Sequence, residues 1–442
     1  MCEVLVKTEE FKDSPLGKIP KDWEVSLIEN KLQQIIDYRG KTPDKTNSGI
    51  PLITAKNVRN GYLDPEPREY IDEKNYDIWM RRGLPKAEDI LFTTEAPLGN
   101  VARVPSYKIA LAQRLLTLRA SPEELDAGYL FWLLNWSESR QRLEQKSTGS
   151  TVLGIKQSVF RKIFFRFPPL PEQPRIAEIL DTVDEAIART SSLIIKLKQT
   201  KAGLLQDLLT RGLDNDGKLR DPQAHPEQFK DSPLGRIPKN WEVRLLATVA
   251  EVNSGVTLGR NISGVGTIEL PYLRVANVQD GYLELNDIKT IRVYKEEVIR
   301  FLLQPGDVLM NEGGDYDKLG RGTVWNGQIV PCLHQNHVFR VRPNEDYLIS
   351  DFLALVSGSA YGKRFFILSS KQSTNLASIN STQLKSFPIP CPTILEQQRI
   401  MSVFKLHETR IRAEEVYLNK LKLQKQGLMQ DLLTGKVRVK NL

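Results

Sequence analysis

A chain of 442 residues has room for two or three domains that each bury a core, and 40% hydrophobic with 26% charged residues excludes a disordered chain. Lys and Arg number 62 against 54 Asp and Glu, and the net charge of +8 favours a polyanionic partner. Three scattered cysteines, Cys2, Cys332 and Cys391, argue against a disulfide framework, while no leader-like start and no apolar run of about 18 residues argue against secretion or a membrane span, so a cytoplasmic location is expected.

After an extension before Phe11 with no legible role comes a segment that returns later. FKDSPLGKIPKDWEV at residues 11–25 reappears as FKDSPLGRIPKNWEV at 229–243, and QDLLT at 206–210 reappears at 430–434. Copies this long are tandem domains and not solenoid units. The offset is 218 residues at Phe11 and Phe229 and 224 at Glu172 and Glu396, so the second copy gains a net six residues inside.

The first globular part spans residues 23–167 and mixes strands at 50–54, 89–93 and 115–118 with a helix at 128–145. It carries polar clusters suited to nucleic acid: Arg39, Lys41 and Lys45 on a glycine turn, Lys56, Asn57, Arg59 and Asn60 in AKNVRN, then Gln113 and Arg114, and Lys146, Thr148 and Ser150 in KSTGST. Cations meet phosphates, while forked amides and guanidinium groups read base edges. Each residue also has a plain alternative as a solvated or turn-forming side chain, Asn57 above all. Arg81 and Arg82 could bind phosphate or cap the preceding YDIWM segment.

FPPLPEQP then opens a long helix, since proline is tolerated only in a first turn. Ile176, Ile179, Val183, Ala186, Thr190, Leu193, Leu197, Thr200 and Leu204 form one stripe, which Thr210, Arg211 and Gly212 terminate. Residues 213–228 are polar and turn-rich, as a linker would be.

The second copy repeats the plan. PYLRVANVQDGYLE at 271–284 parallels PLITAKNVRNGYLD at 51–64, and Gln335 is set against Gln113. A strand is predicted at 307–310 and a helix at 351–366. The polar candidates are Arg260, Asn261, Arg274, Asn277, Arg321, His334, Gln335, Asn336, Lys371, Gln372, Ser373 and Asn375. A second long helix follows CPTILEQQ, with Ile400, Val403, Phe404, His407, Ile411, Tyr417, Leu418, Leu421, Leu428 and Leu432 on one face. Rods of about 50 Å with such stripes bury them most readily against each other, the alternative being that each helix packs on its own domain.

Catalytic signatures are missing: no phosphate-cradling loop, zinc-helix or nucleophile elbow is present. SGVGT at 263–267 reads as a turn. Cys332, His334 and His337 are weak metal candidates, because strand alternation separates His337 from the other two.

FPPLPEQPRIAEIL with LLQDLLTRG, CPTILEQQRIMSVF with LMQDLLTGK, and the two IPKDWEV and IPKNWEV openings together resemble the specificity subunit of a Type I restriction-modification system. Thr393, Ile394 and Leu395 depart from the Pro169, Leu170 and Pro171 of the first copy. The resemblance implies an α/β fold, with two mixed α/β target recognition domains separated by two long antiparallel helices that form a coiled-coil spacer, in an internal pseudo-twofold repeat. The boundaries would be an opening at 1–22, recognition domains at 23–167 and 229–387, spacer helices at 168–212 and 388–442, and the linker.

It further implies a non-catalytic DNA-binding subunit that reads a bipartite duplex site. Two methyltransferase subunits would dock on Glu172, Gln173, Ile176, Leu197, Glu396, Gln397, Ile400 and Leu421, with restriction subunits in the full complex. No cofactor is expected on this chain; S-adenosylmethionine and ATP with magnesium belong to the partners. The alternatives are a coiled-coil adaptor without a DNA role and a methyltransferase with a cryptic cofactor site. Against the second, residues 167–170 have the prolines of a methyltransferase motif without its amide or acid.

Overall fold

The computed structural model describes residues 3–38, 43–149, 153–314, 319–320, 322–372 and 377–441. Two compact units emerge, one of Met1–Ser192 with Val416–Leu442 and the other of Leu193–Glu415. Each unit contains one globular part and a portion of both long helices.

In the first unit a four-stranded antiparallel sheet runs in the order Leu32–Asp37, Leu115–Ala120, Ile90–Thr93, Val101–Arg103. Its central strands carry Ile90, Leu91, Phe92, Leu115, Leu116 and Leu118, all buried because both faces are covered. Ile90, Phe92, Leu116 and Leu118 point into one core, shared with the helix Ala127–Asn135. Leu91 and Leu115 point into the other, shared with a small sheet of Ala110–Leu111, Ile50–Ile53 and Tyr70–Ile71. Successive side chains alternate faces, so one strand feeds two cores.

The single helix expected at 128–145 is two. Asp126 caps the first by accepting from the Tyr129 amide at 2.8 Å. Trp136 then takes an extended conformation before Ser137–Gln145 begins.

The second unit repeats this in the order Ala250–Asn253, Val338–Pro343, Val308–Asn311, Gly322–Val324, beside a sheet of Lys289–Tyr294, Thr267–Leu273 and Leu333–His334. Val308 and Met310 face one core and Leu309 another. Here the strands Thr267–Leu273 and Lys289–Tyr294 have 7 and 6 residues where the first unit's Ile50–Ile53 and Tyr70–Ile71 have 4 and 2. The helix expected at 351–366 is again a pair, Ser350–Gly358 and Ala360–Ser369.

The returning sequence ends have a structural reason. Glu24–Leu27, which follows the buried Trp23, pairs antiparallel with Phe164–Phe167, so each domain opening is stitched to its own closing strand. Glu242–Leu245 and Pro388–Cys391 do the same after Trp241.

The long helices are Gln173–Thr210 and Ile394–Thr434. In the second unit Lys198 pairs with Glu415 at 2.7 Å and Lys201 with Glu408 at 2.8 Å, so the partner number falls as the first rises and the helices run antiparallel. In the first unit Lys425 pairs with Asp184. Ile176, Leu180, Ile194, Leu197, Ile400, Phe404, Ile411 and Leu421 are buried along the expected stripes.

Two segments differ from expectation. The extension forms the strand Glu3–Lys7, which pairs antiparallel with Val437–Asn441 near the chain's other end. Residues 213–228 are not a loose tether: Leu213 is buried in the second unit's core, and Arg220 is ion-paired with Glu396 at 2.6 Å.

Candidate nucleic-acid interface

Because Leu32–Asp37 and Ile90–Thr93 both run antiparallel to Leu115–Ala120, the first two strands leave the sheet at the end where the third enters. Among the described residues, that rim gathers Tyr38, residues 94–100 and residues 112–114. The Thr94 amide donates to the Arg114 carbonyl at 3.0 Å, and the Ile155 amide donates to the Thr94 carbonyl at 2.9 Å. Glu95 and Thr148 each form a bridge with Gly154, which draws Thr148 and Gly154 to the same place.

Gln113, Arg114 and Thr148, distant in sequence, therefore converge. Arg114 holds a left-handed backbone at φ 71°, and its Nε lies 2.8 Å from a carboxylate oxygen of Glu95. Around them Lys45 pairs with Glu69 at 2.8 Å and Arg59 with Asp64 at 3.1 Å, while Lys56 and Lys146 are exposed. Arg82 donates to the Asp37 carbonyl at 2.9 Å. Arg39, Lys41 and Ser150 lie outside the described residues.

Asn57 is a turn former. Its carbonyl oxygen accepts from the Thr54 amide at 3.0 Å, and its amide donates to the Asp64 and Pro67 carbonyls, each at 3.1 Å. Asn277 makes the same set with Arg274, Glu284 and Asp287, so both are spent on the turn before GYL.

The second unit has the equivalent rim at residues 254–261, 312–314 and 335–337, joined by the strands Lys371–Gln372 and Ala377–Ser378. Lys371 and Asn261 are exposed there. Arg260 pairs with Glu297 and Arg274 with Asp287, each at 2.9 Å, and these arginines hold both carboxyls below the usual carboxylate range. Arg321, Ser373 and Asn375 lie outside the described residues, as does the side chain of Gln372.

His334 does not belong to this surface. Its side chain has 0% exposure, its Nδ1 lies 2.6 Å from the Val338 carbonyl, and burial lowers its pKa to about 4. It is a neutral core residue on the strand beside Tyr272 and Leu273.

Backbone bonding also corrects the register of the two copies. The Ala112 amide donates to the Ile53 carbonyl and the Gln335 amide to the Leu273 carbonyl, each at 2.9 Å. Leu111 thus matches His334, Gln113 matches Asn336, and Arg114 matches His337, one residue away from the expected alignment of Gln113 with Gln335. The sequence offered His337 only as a weak metal ligand and not for DNA, yet its Nδ1 stands 2.5 Å from a Glu312 carboxylate oxygen at the rim. Among the described residues no cluster of three His, Cys, Asp or Glu is arranged to hold a metal, and burial pushes the Cys332 thiol up to about 12.

The family model for the Type I restriction modification DNA specificity domain matches residues 20–199 and 238–423, one segment in each copy. The chain belongs to this family. Among its relatives, the Type I restriction enzyme MjaVIII specificity subunit of Methanocaldococcus jannaschii is 25% identical, covering 99% of this chain and 98% of that protein. The EcoKI specificity subunit of Escherichia coli is 25% identical over 87% of this chain and 82% of its own length. A solved chain from work on assembly and conformational transition of the type I R-M system matches with a TM-score of 0.55 at 19% identity, covering 94% of this chain and 98% of that one. The system's S subunit from M. genitalium matches with a TM-score of 0.52 at 15% identity, covering 93% and 96%. These structures share the fold of the specificity subunit. Membership makes the chain a specificity subunit of a Type I restriction-modification system, whose task is recognition of a DNA target.

Within that specificity subunit, the residues expected to dock partners hold the chain itself together. Glu172 is buried, accepts from Arg438 Nη2 at 2.6 Å and Nε at 2.8 Å, and accepts from the Val439 amide at 3.0 Å. Arg438 also grips Asp22 at 2.7 Å, which lowers the pKa of that carboxyl. Glu396 repeats the role with Arg220 at 2.6 Å and the Leu213 amide at 3.0 Å.

Gln173 accepts from the Asp126 amide at 2.8 Å and donates to the Pro168 carbonyl at 3.1 Å; Gln397 accepts from the Ile349 amide and donates to the Pro392 carbonyl, both at 3.0 Å. The shared Glu-Gln pair thus ties each long helix to its own domain through the Gln and to the segment after the other helix through the Glu. Ile176 and Ile400 are buried in the cores of their own domains, and Leu197 and Leu421 are buried along the long helices, so none offers a face to a partner.

Proposed function

We propose that the specificity subunit reads a bipartite duplex DNA site, one half with each domain's rim, and presents its long helices to two methyltransferase subunits. The observation that carries this reading is the pairing of a retained frame with divergent rims. Both copies keep the opening strands, the Glu-Gln anchors and the sheets, while Arg114 and Gln113 on one rim are answered by His337 and Asn336 on the other. Two frames of one design suit two identical partners, and two different rims suit two different half-sites.

The docking face belongs to residues that the helix pair leaves outside. On the second long helix Leu406, Val416, Tyr417 and Leu423 are exposed, as is Ile195 on the first. Large apolar side chains exposed along helices fit burial by a further protein. In this reading the half-sites are separated by unread base pairs, S-adenosylmethionine binds the methyltransferase subunits, and ATP with magnesium serves the restriction subunits.

Purified chain, methyltransferase subunit and both together, each supplied with S-adenosylmethionine and plasmid DNA, give the test. Methylation only in the mixture is expected. Methylation by the chain alone would establish an enzyme instead, and a mixture that never methylates would favour an adaptor.

A further inference from the structure

Two buried ion pairs of the frame recur with the same residue types. Glu172 with Arg438 matches Glu396 with Arg220, and Asp89 with Arg119 matches Asp307 with Arg342. One matched position behaves differently. The Glu312 amide donates to the His337 carbonyl at 3.0 Å as the Thr94 amide does to Arg114, and the Ile379 amide donates to Glu312 at 2.8 Å as Ile155 does to Thr94. The backbone is therefore the same, yet both members of the acid–base pair have changed.

In the first unit the acid is Glu95. In the second it is Glu312, one position earlier in register, because the equivalent of Glu95 is Gly313, where a Cβ would stand 2.9 Å from the Ala377 carbonyl oxygen. The tethered base changes from Arg114 to His337. Both bases sit on the rims with side chains 53% and 55% exposed. Arg114 also keeps a left-handed backbone that glycine adopts with less strain.

We propose that Arg114 and His337 are specificity-determining residues, each discriminating one base of its own half-site; this rests on the bipartite reading above. Glu95 engages Arg114 through Nε, which leaves the two terminal nitrogens to form a fork to the O6 and N7 of guanine. Glu312 holds Nδ1 of His337, while Nε2 has the Asn336 side-chain nitrogen at 3.5 Å, a long contact that a base edge can replace with a single shorter hydrogen bond. A fork and a single bond select differently, so one frame yields unlike half-sites. The tether fixes each side chain's direction before DNA arrives, which lowers the ordering cost of binding.

The experiment is methylation-site mapping on random-sequence DNA by the full chain with its methyltransferase partner. Arg114→Gly, Arg114→Lys and His337→Gln are compared with wild type, and melting of each variant is recorded. Arg114→Gly fits the backbone and is expected to leave melting unchanged while preference at one base position falls roughly ten- to hundredfold, with the other half-site intact. Arg114→Lys keeps the charge but not the fork, and is expected to relax the same position. His337→Gln is expected to change one position in the other half-site only.

Uniform weakening on all sequences, specificity restored by lysine, or no change would overturn the proposal. A wild-type site that is contiguous sinks the bipartite reading and this inference with it, whereas a bipartite wild-type site indifferent to these variants sinks the inference alone.

Discussion

His334 shows how one buried group sets a pH response. Its neutral imidazole, at 0% exposure, titrates near 4 because burial disfavours the charge, against an ordinary value of 6.5. Above about 6.5 this contribution is complete; as pH falls from 6.5 toward 4 the unfolded chain takes up a proton that the folded chain refuses, and stability declines. The full loss is roughly 3 kcal/mol. Across that window the denaturant midpoint of wild type should fall relative to that of His334→Leu as pH falls, because leucine, the residue of the first copy at Leu111, removes the step.

Arg438 is the second residue whose loss should be severe. Arg438→Ala leaves Glu172 buried with its ion-pair partner gone, at a cost of about 3–5 kcal/mol in denaturant unfolding, and an unchanged midpoint would contradict the clasp. Sequence reading placed Glu172 and Gln173 on a docking surface because a recurring motif says that a residue is kept, not what it touches. Its partners lie 266 positions away in Arg438 and 47 in Asp126, separations that no local pattern encodes. His337 stood out in the sequence only as a metal ligand, because a one-residue slip in aligning the copies hid its match to Arg114.

At the scale of elements, the long helices end where a glycine is required. Gly212 and Gly435 have φ of 62° and 72°, the left-handed stop that closes a helix. A Cβ on Gly435 would stand 2.4 Å from Pro20 Cγ, and one on Gly212 2.3 Å from a Glu396 carboxylate oxygen. Gly435→Ala and Gly212→Ala should each destabilise by about 2 kcal/mol or more, read as a lower melting temperature, since backbone strain and close approach add. These helices were legible because their apolar period persists for more than 30 residues, and the central strands because Ile90–Thr93 and Val308–Asn311 are short apolar runs. The break at Trp136 was not, since Ser137–Gln145 continues a helix-forming composition and only the extended turn at Trp136 divides it. The docked path of residues 213–228 was hidden for a similar reason: polar turn residues look alike whether they hang free or wrap a core.

For the molecule as a whole, the repeat exposed the frame because framework contacts select the same residues twice, while the rims diverged and left only chemistry to recognise. Lys45, Arg59, Arg260 and Arg274 proved to be basic residues already paired with acids, so the count of 62 Lys and Arg overstates the cations that stand alone. Binding should still be salt-dependent. Between 50 and 200 mM salt, specific DNA affinity of the complex is expected to fall by about 10³ or more, if six or so phosphates are contacted. A flat profile in a filter-binding or fluorescence titration would contradict a phosphate-tracking rim. The central claim is that each domain reads its own half of the target. Replacing residues 23–167 with the equivalent domain of a relative of known target, then mapping methylated sites, tests this most directly: the account predicts that one half-site changes to the donor's and the other stays, and a change in both halves, or in neither, would contradict it.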